Sequence, residues 1–325
     1  MKKFLSMILA AMLVLTLCSC GSSEDKTPVR VIALKGPTGM GTAYLMNRDG
    51  DGKSKNDYSF TLAAEPSEVS ASIIAGNFDI AAIPVNLASV LYSKGADVRF
   101  LAVNTLGVLY ITENGDEIHS VSDLRGKTIY ATGKGATPQY VLEYILEKNG
   151  LSVGKDVNIE YLTEHAELAS KLSAGSADIG MLPEPYVTSA ISSSESGSLH
   201  IALDLTKEWE KLDGTGKLVQ GVIVVRGGFY DSHKNEVEDF IEEYTQSVEF
   251  ANTNIEENAA YCAKFGIVPE DAAKKSTARC NLVCISGEDA KTYMNAMLSV
   301  LYEANPSSVG GKLPGDGFYI NDVKN

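Results

Sequence analysis

Residues 65–84, EPSEVSASIIAGNFDIAAIP, align without a gap on residues 164–183, EHAELASKLSAGSADIGMLP. Seven of the 20 aligned pairs are identical, and the same offset of 99 places residues 35–38, KGPT, on residues 134–137, KGAT. A constant offset indicates two similar α/β units with equivalent loops in equivalent places. The repeat therefore predicts two matched lobes with a ligand cleft between them. The alternative is that the segments resemble each other only because they share a βα pattern.

Strands and helices alternate along the chain, which is typical of an α/β architecture rich in parallel strands. Chain order predicts lobe 1 from residues 28–105, lobe 2 with the hinge crossings from residues 106–214, and a return to lobe 1 with the C-terminal helices over residues 215–325. Two crossings between the lobes favour a hinge over a loose linker. The C-terminal helices are predicted near residues 233–254, 256–265, 269–277 and 286–304.

The N-terminus has the features of an export signal. Two lysines precede an apolar run over residues 7–17 that is short for a bilayer span. Residues 17–21, LCSCG, resemble a bacterial lipobox, which predicts removal of residues 1–19, a lipid on Cys20 and a tether over residues 20–27. The predicted location is the outer face of the bacterial cytoplasmic membrane, with the lipid as anchor. The alternatives are a plain secretory signal and an uncleaved anchor.

The composition excludes several classes of function. The whole chain has a net charge of −14, and loss of the two lysines in residues 1–19 changes this to 26 − 42 = −16. This acidity argues against nucleic acid as a partner, because the phosphates would be repelled. The four histidines are scattered, and no catalytic Ser/His/Asp arrangement, P-loop or dinucleotide fingerprint is recognisable. These features predict a protein that is not an enzyme, uses no cofactor and holds no metal.

Three cysteines follow the predicted lipid site: Cys262, Cys280 and Cys284. Export permits a disulfide, and a bond from Cys262 to Cys280 or Cys284 would staple two C-terminal helical segments. The odd count leaves at least one thiol free. The spacing does not match that of a zinc site.

Glycine-rich turns follow the first predicted strand of each lobe, where open α/β sheets bind ligands. Thr38 and Thr137 are predicted N-caps of the helices that follow, and Ser67 is the predicted N-cap of the first repeat helix. Uncapped amides in the first turns would then face the cleft and hold an anionic or acceptor group. The alternative is that these segments are only tight turns. The amides concerned are those of Gly39, Met40, Gly41, Gln139 and Tyr140.

Glu184 is the sharpest side-chain candidate, because Pro183 and Pro185 fix the backbone on either side of it. Its carboxylate could accept hydrogen bonds from a ligand; equally, it could pair with Arg226 or a lysine across the hinge. Glu65 is either a ligand group at the matched strand end or a simple helix-start acid. The further polar and aromatic candidates for ligand binding are Asn86, Asn104, Tyr186 and Gln220.

Several segments together resemble one family. Residues 75–81, AGNFDIA, and 174–180, AGSADIG, are similar to the AG-x-x-D element of the nitrate/sulfonate/taurine and thiamine-precursor binding group of solute-binding lipoproteins. Residues 182–186, LPEPY, resemble its acidic-proline strand end. Residues 124–129, LRGKTI, resemble its entry to the second lobe, and residues 222–226, VIVVR, its return strand. The resemblance implies a type II periplasmic-binding-protein fold and a monomer that delivers a small molecule to the permease and ATPase of an ABC importer.

Two departures from the family pattern bear on the ligand. Residues 36–41, GPTGMG, are not the usual polar loop of sulfonate or nitrate binders, and no cluster of Arg or Lys is evident around the predicted cleft. With Glu65, Glu164 and Glu184 nearby, a heterocycle rich in N–H donors, such as a pyrimidine vitamin precursor, fits better than a sulfonate- or nitrate-type anion. The alternatives are an enzyme on the same fold in cofactor-precursor biosynthesis and a ligand sensor without transport.

Overall fold

The computed structural model describes residues 26–212, 214 and 216–320. The predicted signal peptide and the predicted lipid site Cys20 lie outside these residues. Within the described ranges, no helix combines the length and the hydrophobicity needed to cross a membrane.

The described strands form two sheets. They are β1 (Pro28–Leu34), β2 (Asp57–Ala63), β3 (Ile80–Pro84), β4 (Val98–Thr105), β5 (Leu109–Asn114), β6 (Thr128–Ala131), β7 (Asn158–Tyr161), β8 (Ile179–Pro183), β9 (Leu199–Asp204), β10 (Gly221–Arg226) and β11 (Leu282–Ser286). The six-stranded sheet has the order β11-β4-β10-β3-β1-β2, and the five-stranded sheet has the order β7-β6-β8-β5-β9. We refer to the first sheet with its helices as lobe 1 and to the second as lobe 2.

The two sheets share one topology. In lobe 1, β1 pairs in parallel with β2 and β3, and β10 lies antiparallel between β3 and β4. In lobe 2, β6 pairs in parallel with β7 and β8, and β5 lies antiparallel between β8 and β9. Only lobe 1 has a further edge strand among the described residues, β11, which pairs with β4. This equivalence confirms the predicted two-lobed α/β fold.

Helices flank both sheets. They are α1 (Pro37–Met40), α2 (Ala43–Gly50), α3 (Pro66–Ile74), α4 (Val85–Ser93), α5 (Thr137–Lys148), α6 (His165–Ser173), α7 (Tyr186–Ser193), α8 (Leu205–Glu210), α9 (Gly227–Ser232), α10 (Lys234–Thr253), α11 (Ile255–Lys264), α12 (Glu270–Ser276) and α13 (Gly287–Ala304). The last four match the predicted C-terminal helices to within one residue at each end. The strand β11 between α12 and α13 was not predicted.

The repeated segments adopt the same local structure. Gly76 and Gly175 follow α3 and α6 with φ of 69° and 67°, a left-handed conformation that glycine adopts without strain. One prediction in this region is wrong: Glu65, not Ser67, is the N-cap of α3. The helix begins at Pro66, because the proline ring already holds the φ angle that the first helical position needs.

The aspartates of the two repeats have different surroundings. Asp79 is buried and receives hydrogen bonds from Arg30 Nη2 at 2.9 Å and from Arg226 Nη2 at 2.7 Å. Burial alone would raise the pKa of Asp79, but the hydrogen bonds from the two arginines outweigh it and lower the pKa to about 2. Asp178 is exposed. The shared aspartate therefore ties β1, β3 and β10 together in lobe 1 alone.

The chain passes between the lobes twice, once between β4 and β5 and once between β9 and β10. In the first crossing, a β-carbon on Gly107 would lie 2.0 Å from Thr206 Oγ1, so no larger residue fits without displacement. Asn281 Nδ2 donates to the carbonyl oxygen of Gly107 at 2.5 Å. Thr206 thus packs closely against Gly107, and Asn281 bonds its carbonyl oxygen, so two contacts fix the first crossing. The domain boundaries given above stay a prediction.

The disulfide that export permits is absent among the three cysteines that the structure describes. Cys262, Cys280 and Cys284 are all in the thiol form, and the first two are fully buried. Burial raises the pKa of both Cys262 and Cys280 to about 12. Each thiol is therefore protonated and packs as a small apolar side chain.

Candidate functional site

A cleft of ≈ 1010 Å³ lies between the lobes, at the ends of their parallel strands. Lobe 1 and its C-terminal helices contribute Leu34, Lys35, Gly36, Pro37, Thr38, Ala64, Glu65, Pro66, Pro84, Thr105, Gln220, Ile267, Val268, Pro269 and Ala272. Lobe 2 and its crossing contribute Val108, Leu109, Gly133, Lys134, Ala136, Thr137, Pro138, Thr163, Glu164, His165, Ala166, Ala169, Ser170, Ser173, Pro183, Glu184, Pro185, Tyr186, Ser189, Ala190 and Ser193.

Half of the residues predicted to bind a ligand line this cleft. They are Thr38, Glu65, Thr137, Glu184, Tyr186 and Gln220. The other predicted residues are not among those that line the cleft. They are Gly39, Met40, Asn86, Asn104, Gln139 and Tyr140.

The predicted capping role of the two threonines is wrong. Gly36 is the N-cap of α1 and Ala136 is the N-cap of α5, and neither Thr38 nor Thr137 caps its helix. Both helices start earlier than predicted, because a proline occupies one of their first two positions. The hydroxyl of Thr137 instead donates to Asn86 Oδ1 at 3.0 Å. Asn86 and Thr137 are buried and join helix α4 of lobe 1 to helix α5 of lobe 2.

The earlier helix starts also remove predicted donors from the cleft. The amides of Gly39 and Met40 both donate to the carbonyl oxygen of Gly36 at 3.0 Å, and the amide of Gln139 donates to that of Ala136 at 3.1 Å. These groups are therefore satisfied within the chain, and the prediction that they face the ligand is wrong.

Two of the polar candidates hydrogen-bond to the glycine-rich turns that line the cleft, and a third is buried in a helix. Asn104 is buried, and its Nδ2 donates to the carbonyl oxygen of Thr38 and to Tyr244 Oη, each at 3.3 Å. Gln139 Oε1 accepts from the Gly135 amide at 2.6 Å, which closes the turn before α5. Tyr140 is buried in α5. Asn104 and Gln139 thus fix the two glycine-rich turns that line the cleft.

Glu184 is fully buried, and its carboxylate is occupied by protein donors. Oε1 accepts from Arg279 Nε at 2.5 Å and from Thr188 Oγ1 at 2.9 Å, and Oε2 accepts from the Thr188 amide at 3.0 Å. The predicted pairing with Arg226 or a lysine is wrong, because Arg226 pairs with Asp79. No local sequence pattern indicates Arg279, which is 95 residues away along the chain.

The sequence-based prediction missed His165 as a site residue. Its ring centroid lies 5.0 Å from that of Tyr186, and its Nδ1 lies 2.6 Å from Thr132 Oγ1. Burial lowers the pKa of His165 to about 4, so the ring is neutral near pH 7. A neutral imidazole with one nitrogen occupied can still donate or accept at the other. The repeat could have indicated His165 as a cleft residue, because it directly follows Glu164 at the start of the second repeat.

Gln220 supplies a buried donor that lacks a hydrogen-bond partner. The main-chain amide of Gln220 donates to the main-chain carbonyl oxygen of Thr105 at 3.0 Å. The main-chain carbonyl oxygen of Gln220 accepts from the Val85 amide, also at 3.0 Å. These bonds fix the backbone, whereas the buried side-chain Nε2 has no partner among the described residues. Leaving such a donor unsatisfied costs about 1–3 kcal/mol. A ligand acceptor in the cleft would remove that cost.

Charges of both signs line the cleft at repeat-related positions. Lys35 and Lys134 are exposed, as are Glu65 and Glu164. Burial raises the pKa of Tyr186, and the charges of Glu164 and Glu65 raise it further, which places both carboxylates near that hydroxyl. Each lobe thus contributes one exposed lysine and one exposed glutamate to the cleft, and these four charges cancel.

The geometry favours binding through hydrogen bonds and ring contacts. No group of three or more His, Cys, Asp or Glu side chains is placed to hold a metal ion in the part of the chain that the structure describes. The neutral His165 ring, the Tyr186 ring and the Gln220 donor are the features of the cleft suited to an uncharged part of a ligand.

The comparisons with solved structures identify the same fold. An ABC transporter from Parabacteroides distasonis is 24% identical, with 91% of this chain and 99% of that chain covered and a TM-score of 0.78. The periplasmic aliphatic sulphonate binding protein SsuA from Escherichia coli is 16% identical, with 89% and 97% covered and a TM-score of 0.70. The periplasmic nitrate-binding protein NrtA from Synechocystis PCC 6803 is 13% identical, with 78% and 70% covered and a TM-score of 0.58.

A family model provides the assignment. The comparison with curated proteins finds no match to this chain. The family model described as "ABC transporter, phosphonate, periplasmic substrate-binding protein" matches residues 52–277, more than two thirds of the chain. The chain therefore belongs to this family of periplasmic substrate-binding proteins of ABC transporters.

Proposed function

We propose that the protein captures a small organic molecule between its lobes and delivers it to the permease and ATPase of an ABC importer. A lipid on Cys20 would hold it at the outer face of the cytoplasmic membrane, where a monomer could reach the permease. The observation that carries the proposal is the inter-lobe cleft with the unpaired Gln220 donor buried in its wall. Family membership supports the transport role.

The ligand we propose is a planar heterocycle of vitamin-precursor size. A cleft of ≈ 1010 Å³ is at the upper end of the roughly 300–1,000 Å³ that encloses drug-sized ligands, far more than a bare anion needs. The rings of His165 and Tyr186, which are tilted by 40° to each other, offer ring contacts, and Gln220 Nε2 offers a donor to a ring nitrogen or carbonyl oxygen. The two cleft lysines offset Glu65 and Glu164, and the third cleft glutamate, Glu184, is paired with Arg279, which favours a neutral or zwitterionic molecule.

A sulfonate-, nitrate- or phosphonate-type anion is the second candidate. The description of the family and the names of two structural neighbours mention such ligands. Lys35 and Lys134 are the cleft residues that favour an anion, but both are exposed, so water would screen their charge.

A thermal-shift panel on the chain from Gly21 onward tests the proposal. The panel contains pyrimidine precursors, thiamine, riboflavin, purines, alkanesulfonates, phosphonates and nitrate. A ligand present at 100 times its dissociation constant stabilises the folded protein by roughly 2.7 kcal/mol, which raises the melting temperature by several degrees. We expect a hit among the heterocycles, and the bound molecule should be recovered chemically unchanged. A tight, exclusive response to an anion would contradict the proposed ligand class, and a converted product would contradict the binding role.

A further inference from the structure

Arg279 crosses from lobe 1 to lobe 2. It lies in the short 3₁₀ turn Thr277–Arg279, just before β11 of lobe 1. Its Nε donates to Glu184 Oε1 and its Nη2 donates to Thr188 Oγ1, each at 2.5 Å. Its carbonyl oxygen accepts from Tyr110 Oη at 3.1 Å. Glu184, Thr188 and Tyr110 all belong to lobe 2, so a single residue bonds three positions across the lobe boundary.

The burial of this ion pair is unequal. The Glu184 side chain is 0% exposed, whereas that of Arg279 is 38% exposed. The other donors to the Glu184 carboxylate both come from Thr188, which moves with Glu184 because Thr188 lies in the first turn of α7 and Glu184 lies just before that helix in lobe 2. The opposite charge for this buried carboxylate therefore comes from the other lobe.

We propose that Arg279 is a positioning residue that holds the lobes in their ligand-enclosing arrangement by pairing across the lobe boundary with Glu184. Separation of the lobes exchanges this pair for two hydrated charges. Removal of the arginine alone leaves a buried carboxylate without its counter-charge while the lobes stay together. Opening then hydrates that carboxylate, so loss of Arg279 favours the open form.

The pair also positions the cleft wall. Glu184 is followed by Pro185 and Tyr186, which line the cleft beside His165. The same contact that joins the lobes thus fixes the start of α7 and the tyrosine ring that it presents. The effect on capture rests on the proposed function, whereas the effect on the lobes does not.

The test measures the distance between the lobes in the ligand-free, full-length protein purified in detergent. Spin labels on S67C and E167C occupy exposed sites in α3 of lobe 1 and α6 of lobe 2. A sample without the two introduced cysteines measures background labelling at the half-buried Cys284. Double electron–electron resonance then reports the fractions of closed and open protein. We expect Arg279→Met to shift the closed-to-open ratio at least ten-fold towards longer distances.

Two variants separate charge from packing. Arg99→Met is the matched control, since Arg99 is 30% exposed and pairs with Asp231 within lobe 1, and it should leave the distances unchanged. The double variant Glu184→Gln/Arg279→Met should recover much of the closed population, because a neutral amide needs no counter-charge. A double variant as open as Arg279→Met alone would overturn the ionic basis of the proposal.

Unchanged distances in a folded Arg279→Met protein would overturn the proposal outright. If that variant does not fold, Arg279→Lys serves in its place, since it keeps the charge but cannot donate to both Glu184 and Thr188 in the same geometry. We expect an intermediate shift for Arg279→Lys, and a wild-type distribution would contradict the proposal. Because the measurement uses no ligand, its outcome is separate from that of the thermal-shift panel.

Discussion

Replacement of His165 by glutamine should remove a specific part of the pH dependence of stability. The pKa of this histidine is lowered from 6.5 to about 4 by burial. The unfolded chain therefore binds more protons than the folded protein between these two pH values. The free energy of unfolding of the wild type is unaffected by this group above about pH 6.5 and falls as the pH drops towards 4.

The size of the effect follows from the pKa difference. One pKa unit corresponds to about 1.4 kcal/mol, so the difference amounts to roughly 3 kcal/mol in full. The interval from pH 7 to pH 4.5 covers most of the range between the two pKa values. Over it, the free energy of unfolding of the wild type should fall by about 2 kcal/mol because of His165. Glutamine does not titrate, so His165→Gln should lose less stability over the same interval.

Urea unfolding at pH 7 and pH 4.5 measures this difference. The loss of ring packing against Tyr186 lowers the stability of His165→Gln equally at both pH values, so only the change between them counts. A wild type and His165→Gln that lose equal stability between pH 7 and pH 4.5 would refute the reasoning.

Three further substitutions test separate features. Gln220→Leu removes a buried donor without a partner, so the ligand-free protein should be equally stable or more stable by about 1 kcal/mol. Calorimetry should show about ten-fold weaker binding of the ligand found in the panel. Unchanged affinity would contradict a role of Gln220 in binding. Gly107→Ala should lower the free energy of unfolding by about 1–3 kcal/mol, because its β-carbon would overlap Thr206, and a neutral effect in urea unfolding would contradict that packing. Asp79→Asn should cost roughly 2 kcal/mol at pH 7, and the difference from wild type should shrink as the pH falls from 4 towards 2, since the lowered pKa stabilises the folded state only while the carboxylate is ionised.

The fold was predictable because its signal is local and repeated. The 99-residue offset preserves the apolar pattern of a helix and a strand together with Gly76 and Gly175, which both need a left-handed conformation. Such features depend on near neighbours in the chain. The edge strand β11 was not predicted, since it is short and pairs with β4, which lies far away in the sequence.

The candidate site was predictable in place but not in detail. The strand ends that form the cleft follow from the topology, and Gln220 and Tyr186 lie there as predicted, although their role in binding stays a prediction. The predicted starts of α1 and α5 are wrong, because Pro37 and Pro138 occupy early helical positions and Gly36 and Ala136 are therefore the N-caps. The partner of Glu184 could not be found from the sequence, because an ion pair across two lobes leaves no pattern along the chain.

The insertion of β10 between β3 and β4 has a consequence for the order of folding during synthesis. All strands of lobe 2 come from the continuous stretch of residues 109–204, so its sheet can assemble as soon as that stretch is available. In lobe 1, β3 and β4 do not pair with each other. They are joined only through β10, residues 221–226, which is synthesised after lobe 2. The lobe that is made first is thus completed last, and the nascent chain keeps an unfinished sheet until lobe 2 has been synthesised.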